Sequence, residues 1–125
     1  MSKPVPVVAL VDDDTAARKS LARIVTLNGY IVKEYESAEE YVASDTSTVC
    51  CAIIDVNLGG AASGLDLGRI IAQSANPIPL IFMTGSARPH MRAEASALSS
   101  VALLEKPFPA TQLLGAIAQA CGTRG

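Results

Sequence analysis

No apolar run in this chain is longer than a strand; the stretch at residues 49–54 falls far short of the ~20 residues that a membrane span needs. No membrane association is therefore expected. An excess of cations is also missing: 10 Lys plus Arg stand against 12 Asp plus Glu, the net charge is -2 and the pI is near 5.3. The cations are scattered, so there is no basic footprint for direct DNA binding. Cysteines are few and odd in number, with Cys50 and Cys51 adjacent inside an apolar run, which reads as small apolar side chains and not as a metal or redox site. The single histidine, His90, has no carboxylate or serine partner in view and reads as a surface residue. A Gly-Lys-Ser/Thr phosphate loop is absent, and the glycine-rich segment 59–64 places Ala61 where a dinucleotide fingerprint requires its second glycine. The first apolar run is stopped by Asp12 to Asp14 with no small-residue cleavage site after it, so no signal peptide is expected and the location implied is cytoplasmic.

What remains is 125 residues, 50% of them apolar, with a mean hydropathy of +0.33. That suits one domain over residues 1–125, with a core of about 5–122, able to bury its own core without staples. No output domain is expected. Five short apolar runs, at 5–11, 30–35, 50–54, 78–83 and 101–104, alternate with five helix-like stretches. This alternation predicts an α/β fold, a doubly wound five-stranded parallel sheet with helices on both faces. The second run carries Lys33 and Glu34 and reads as an edge strand.

The first helix is predicted over 15–28, with Ala17, Leu21, Ile24, Val25 and Asn28 inward, Arg18, Lys19 and Arg23 in water, and Gly29 as the left-handed stop. The second opens at Ser37, which is expected to form a capping box with Glu40. The third follows Gly64 with Leu65, Leu67, Ile70 and Ile71 inward, the weakly amphipathic fourth spans 89–99, and the fifth runs from Pro109 to Gly122. Right-handed crossovers favour strand order 2-1-3-4-5, which sets the ends of the first, third and fifth strands side by side, where ligands of such sheets bind.

Those ends are all polar: Asp12-Asp13-Asp14, Asp55, Thr84 and Glu105-Lys106-Pro107. One polar residue at a strand end is ordinary loop chemistry, and Asp14 suits a helix N-cap. Together they say more, because clustered carboxylates repel and persist when a cation compensates them or their pKa values rise. An open, oxygen-only site of this kind suits Mg2+. Lys106 adds a point charge and Thr84 a hydroxyl, both able to hold phosphoryl oxygens, so the site is suited to placing a phosphoryl group on a carboxylate, with Asp55 the nucleophile candidate.

Four separated motifs in order, Val-Asp12-Asp13, Ile-Ile-Asp55, Met-Thr84-Gly and Glu-Lys106-Pro-Phe, resemble the receiver domains of two-component response regulators across essentially the whole chain. The resemblance, to flavodoxin-like domains of the chemotaxis-regulator kind, implies phosphoryl acceptance at Asp55 from a sensor histidine kinase or phosphotransfer protein. It implies Mg2+ bound by Asp12, Asp13, Asp55 and the backbone carbonyl of Asn57. It further implies that Thr84 bonds the phosphoryl group, that Lys106 contacts Asp55 or its phosphate, and that the Lys106-Pro107 peptide is cis. The function implied is a signalling switch and not an enzyme, acting through protein contacts with a downstream partner, as a monomer or a phosphorylation-linked dimer.

The sequence departs from the family pattern at three places. Gly59 replaces a usual proline and the loop before Gly64 is one residue longer, Leu103 stands where receivers commonly carry a switching aromatic, and Asn57 and Ser86 occupy positions at which the family varies its dephosphorylation rate. Two other functions fit parts of the pattern. Asp12 to Ala16 nearly match the motif of haloacid dehalogenase-like phosphatases, which would make Asp12 the nucleophile and Asp14 the acid, although Ala16 misses the pattern and Asp55 would have no role. A phosphorylation-independent interaction domain would account for Leu103 and the altered loop.

Overall fold

The computed structural model describes residues 5–60 and 62–122. Ten elements alternate: β1 (Val7–Val11), α1 (Thr15–Leu27), β2 (Ile31–Tyr35), α2 (Ala38–Val42), β3 (Val49–Asp55), α3 (Gly64–Ala72), β4 (Leu80–Thr84), α4 (Pro89–Ala97), β5 (Ala102–Glu105) and α5 (Ala110–Cys121). All strand pairs are parallel and the order is β2-β1-β3-β4-β5, the predicted one. β1, β3 and β4 are buried on both faces, which is why they read as continuous apolar runs, while β2 is the half-wet edge. β4 begins two residues later than its apolar run because Pro77 and Pro79 lack the N–H that a ladder uses.

The sheet divides the core in two. One half joins Ala9, Ile54 and Phe82 to α2, α3 and α4 through Tyr41, Leu67, Ile71 and Ala95. The other joins Leu10, Ile53 and Met83 to α1 and α5 through Ala22, Val25, Leu113 and Ile117. Gly29, at φ 94°, ends α1 in the left-handed region, as its position predicts.

Several expectations are corrected. Arg18, predicted to be in water, is buried, while Asn28, predicted to face inward, is exposed and caps α1 by donating to the Ile24 carbonyl. α1 is narrow enough on its buried side that Ala22 and Val25 fill it and the Arg18 stem lies along it, leading its guanidinium to the loop after β1. Ile70 is half exposed, since the inner stripe of α3 is already taken by Leu67 and Ile71. Ser37 caps α2 as expected by accepting from the Glu40 N–H, but the Glu40 carboxylate takes the Glu36 N–H in place of Ser37's. The reciprocal box occurs instead at α3, between Ser63 and Asp66.

The cysteines depart furthest from the small-apolar reading. Val7 pairs Val49 and the next residue, Val8, pairs Cys51, so Cys50 is an extra residue in β3. This bulge breaks the two-residue alternation and turns Cys50 and Cys51 toward the same half of the core. There Cys50 meets Cys121 at the end of α5 in a disulfide, their Cα atoms 5.5 Å apart, while Cys51 stays a buried free thiol.

Candidate functional site

The carboxyl ends of β1, β3, β4 and β5 converge on one acidic depression. Asp12 and Asp55 are buried, Asp13 is exposed, and one carboxylate oxygen from each lies within 4.8 Å of the others. Lys106, from the loop after β5, donates to Asp55 Oδ2 at 2.7 Å and stands 3.9 Å from Asp12 Oδ2, an ion-pair distance with no hydrogen bond. Asp55 Oδ1 accepts the Asn57 N–H at 2.9 Å, so both acceptor oxygens are held in a fixed direction.

Asp12 is fixed from three sides. Its N–H donates to the Tyr35 carbonyl, its Oδ1 accepts the Asp14 N–H at 2.9 Å, and its carbonyl accepts from Arg18 Nη1 at 2.8 Å. Arg18 is held in turn by Glu34 at 3.1 Å and Glu36 at 3.4 Å. A buried arginine paired in this way positions the β1–α1 loop, a role that sequence reasoning missed because its helical spacing gave no sign of burial. Gly59, a departure from the family pattern, joins the site: its N–H donates to Asp13 Oδ2 at 3.1 Å, and a Cβ there would lie 2.8 Å from that oxygen. The longer loop thus still reaches the acidic cluster.

Burial pushes the Asp12 carboxyl above its ordinary value, the charges of Asp55 and Asp13 push the same way, and the Asp14 N–H and Lys106 oppose them. Burial of Lys106 works to lower its pKa, but the hydrogen bond and charge of Asp55, with Asp12 and Asp14, outweigh it and the net shift is upward. Asp12 Oδ2 is buried without a hydrogen-bond partner. Such an atom normally has one, so an orphaned carboxylate oxygen facing two other carboxylates is a donor set suited to a hard divalent cation.

Thr84 is buried at the end of β4; its Oγ1 accepts the Ser86 N–H at 3.2 Å, lies 3.3 Å from the Ser86 carbonyl and 3.9 Å from Met91 Sδ. Its hydroxyl is thus engaged within its own loop. The Lys106-Pro107 peptide is cis, and Leu103 is a half-buried member of the core beneath α4. Asp14 caps α1 by accepting the Ala17 N–H, and Lys106 bonds Asp55 in preference to Asp12, an arrangement unlike the one a nucleophilic Asp12 with an Asp14 acid would need.

The sequence profile of the response regulator receiver domain matches residues 8–118. The chain belongs to this family. It is 33% identical over 118 residues to the response regulator protein TodT of Pseudomonas putida, covering 94% of this chain and 52% of TodT. With the transcriptional regulatory protein FixJ of Rhizobium meliloti it shares 34% identity over 113 residues, 90% of this chain and 55% of FixJ. The chain therefore spans about half the length of the curated relatives it matches. Among solved structures, a CheY-like receiver domain protein from Methanospirillum hungatei superposes with a TM-score of 0.84 at 25% identity, covering 93% of both chains. Chemotaxis protein CheY4 of Vibrio cholerae gives 0.85 at 22% identity, over 94% of this chain and 99% of that one, a likeness of fold.

The chain is thus a receiver domain of two-component response regulators, whose family role is that of a phosphorylation-dependent signalling switch. Receiver domains generally use Mg2+ at the acidic pocket and interact with histidine kinases or phosphotransfer proteins. Among the described residues, no helix is long and apolar enough to cross a membrane.

Proposed function

We propose that Asp55 is the phosphoacceptor of this receiver and that Asp12, Asp13, Asp55 and the Asn57 carbonyl hold Mg2+. The observation that carries this reading is the short Lys106–Asp55 ion pair beside the orphaned Asp12 oxygen. In the reaction an Asp55 carboxylate oxygen attacks phosphorus, an O–P bond forms as the N–P bond of a phosphohistidine breaks, and the departing imidazole keeps the electron pair and takes a proton. Bound Mg2+ supplies charge neutralisation for the phosphoryl oxygens. The Asn57 N–H keeps the carboxylate aimed, and the Lys106 ammonium, already bonded to it, neutralises charge as it develops. Thr84 gives up Ser86 and donates its hydroxyl to a phosphoryl oxygen.

The receiver acts in the cytoplasm, transforms no metabolite and passes its state to a protein partner. A shallow groove between α1 and the β5–α5 loop, lined by Ala17, Ser20, Leu21, Lys106, Pro107 and Phe108, opens beside the acceptor and suits docking of the phosphodonor. Intact mass after incubation with acetyl phosphate tests the chemistry. A Mg2+-dependent gain of one phosphoryl group, lost in Asp55→Asn and Asp12→Asn, is expected. An adduct that survives in Asp55→Asn would overturn the assignment.

A further inference from the structure

At the opposite end of β3 from Asp55, three sulfurs meet: Cys50 and Cys51 at the bulge and Cys121 in the last turn of α5, all within 4.8 Å of one another. Cys50 and Cys121 are half-buried and bonded; Cys51 is fully buried. The acidic site uses none of them. We propose that Cys50 and Cys121 form a reversible oxidation site whose substrate is a low-molecular-weight disulfide, and that closing it pins the end of α5 to the base of β3.

Three features of the fold carry this. The bulge aims Cys50 at α5 where regular alternation would aim it at α3 and α4. The Cα separation of 5.5 Å lies within the range a disulfide requires, so the fold holds the two backbones at bridging distance. Among the described residues, the last turn of α5 carries no basic residue and its final side chains, Ala120 and Cys121, are only half-buried, so the bridge is a strong tether there. The third thiol does not compete for pairing: burial pushes Cys51 up to about 12, which keeps it protonated and unreactive at neutral pH.

The exchange balances in two steps. The thiolate of one half-buried cysteine attacks the small disulfide, forming a mixed disulfide and releasing one small thiolate. The second cysteine, as thiolate, attacks the protein sulfur of that mixed disulfide, forming the Cys50–Cys121 bond and releasing the second small thiolate. Two electrons pass to the oxidant, and the two protons lost by the cysteines end on the two small thiols. A dithiol reductant reverses both steps. In a compartment that keeps thiols reduced, the open form is the resting one and closure reports an oxidising pulse.

The reduced full chain, treated with oxidised glutathione and analysed by non-reducing mass spectrometry, provides the test. Wild type and Cys51→Ser are expected to lose two hydrogen atoms and keep no adduct, whereas Cys50→Ser and Cys121→Ser should each retain one glutathione. On closure of the wild type the melting temperature should rise on the order of 10 °C, given the long loop enclosed. Amide exchange in the last turn of α5 should slow at least tenfold. A stable glutathione adduct on the wild type, a bridge that includes Cys51, or stoichiometric zinc held by the three cysteines of the reduced chain would each overturn the proposal. Should a serine variant fail to fold, the disulfide-linked peptides of the oxidised wild type decide the pairing.

Discussion

Gly64 sets the distance between α3 and the acceptor strand, and replacing it with alanine tests that geometry with two opposing effects of calculable sign. A Cβ at Gly64 would strike the Asp55 carbonyl oxygen and lie 2.7 Å from Val56 Cα and 2.8 Å from the Asp55 carbonyl carbon. These are backbone atoms and cannot swing aside. The Gly64 N–H is also bonded to the Val56 carbonyl at 2.9 Å, so the loop is held where the clash occurs. Restoring ordinary carbon contacts of about 3.5 Å means opening the junction by about 0.8 Å. Overpacking of this kind destabilises by about 1–3 kcal/mol, and rigid neighbours put Gly64→Ala near the top of that range. Helix propensity acts the other way and favours alanine by at most about 1 kcal/mol, so the clash wins by roughly 2 kcal/mol.

Gly115 isolates the smaller effect. It is exposed within α5 and a Cβ there meets nothing within 4 Å, so Gly115→Ala should stabilise by about 0.5–1 kcal/mol. In thermal denaturation Gly64→Ala should melt roughly 8 °C below wild type and Gly115→Ala about 2–4 °C above it. Gly64→Ala should also slow phosphoryl uptake by about tenfold or more, because the displaced backbone is that of Asp55, while Gly115→Ala leaves uptake unchanged. If Gly64→Ala melted with or above wild type, the close packing of α3 on the acceptor strand would be refuted.

Arg18→Met should lower stability by about 2 kcal/mol in urea unfolding, since it leaves the buried Asp12 carbonyl without its donor and Glu34 with Lys19 alone; a loss under about 1 kcal/mol would deny Arg18 its positioning role. Lys106→Met should leave the fold intact by circular dichroism yet slow phosphoryl uptake about 10²-fold, the loss typical of a positioned charge-stabilising donor. Asp12→Asn should raise stability without Mg2+ by about 1 kcal/mol and abolish the Mg2+-dependent rise in melting temperature. Because the folded Asp12 pKa lies above its ordinary 3.8, the stability this group contributes is present below that value and lost as pH rises through the folded pKa. Without Mg2+, the advantage of Asp12→Asn should therefore grow from about pH 4 toward neutrality, as urea midpoints of the two proteins would show.

Strand order and the acidic site were legible because both leave local marks: an apolar run, then a polar residue directly after it. Asp12, Asp55 and Thr84 carry that signature, Lys106 follows one residue later behind Glu105, and the parallel topology alone brings their strands' ends together. The bulge at Cys50 left no such mark, because an extra residue in β3 exists only relative to β1, and the run Val-Cys-Cys-Ala reads the same in either register. Arg18 was misplaced because periodicity sorts residues by side-chain type, whereas its burial depends on a carbonyl and two carboxylates supplied by other elements. At α3 the local sign was present in Ser63 and Asp66, but aspartate in place of the usual glutamate or glutamine hid the box.

The two sides of the site differ in how firmly they are held, and this bears on where a bound phosphoryl group can act. On the Asp12 side, Arg18, Tyr35 and Asp14 fix the loop through buried or half-buried bonds, and α1 buries three residues behind it. On the Thr84 side, α4 buries only Ala95, has no side-chain N-cap, and is tied by exposed pairs of Arg69 with Glu94 and Arg92 with Glu105, each worth at most about 1 kcal/mol. The Thr84 hydroxyl is bonded within the loop that leads to α4, through Ser86, and reaches Met91 of α4 itself. Drawing that hydroxyl toward Asp55 thus breaks contacts on the weakly held side and leaves the strongly held side in place. With Leu103 in place of an aromatic, no large ring must turn for this to happen, so on the proposed reading the response to phosphorylation would fall on the β4–α4 loop and α4, where little free energy opposes displacement.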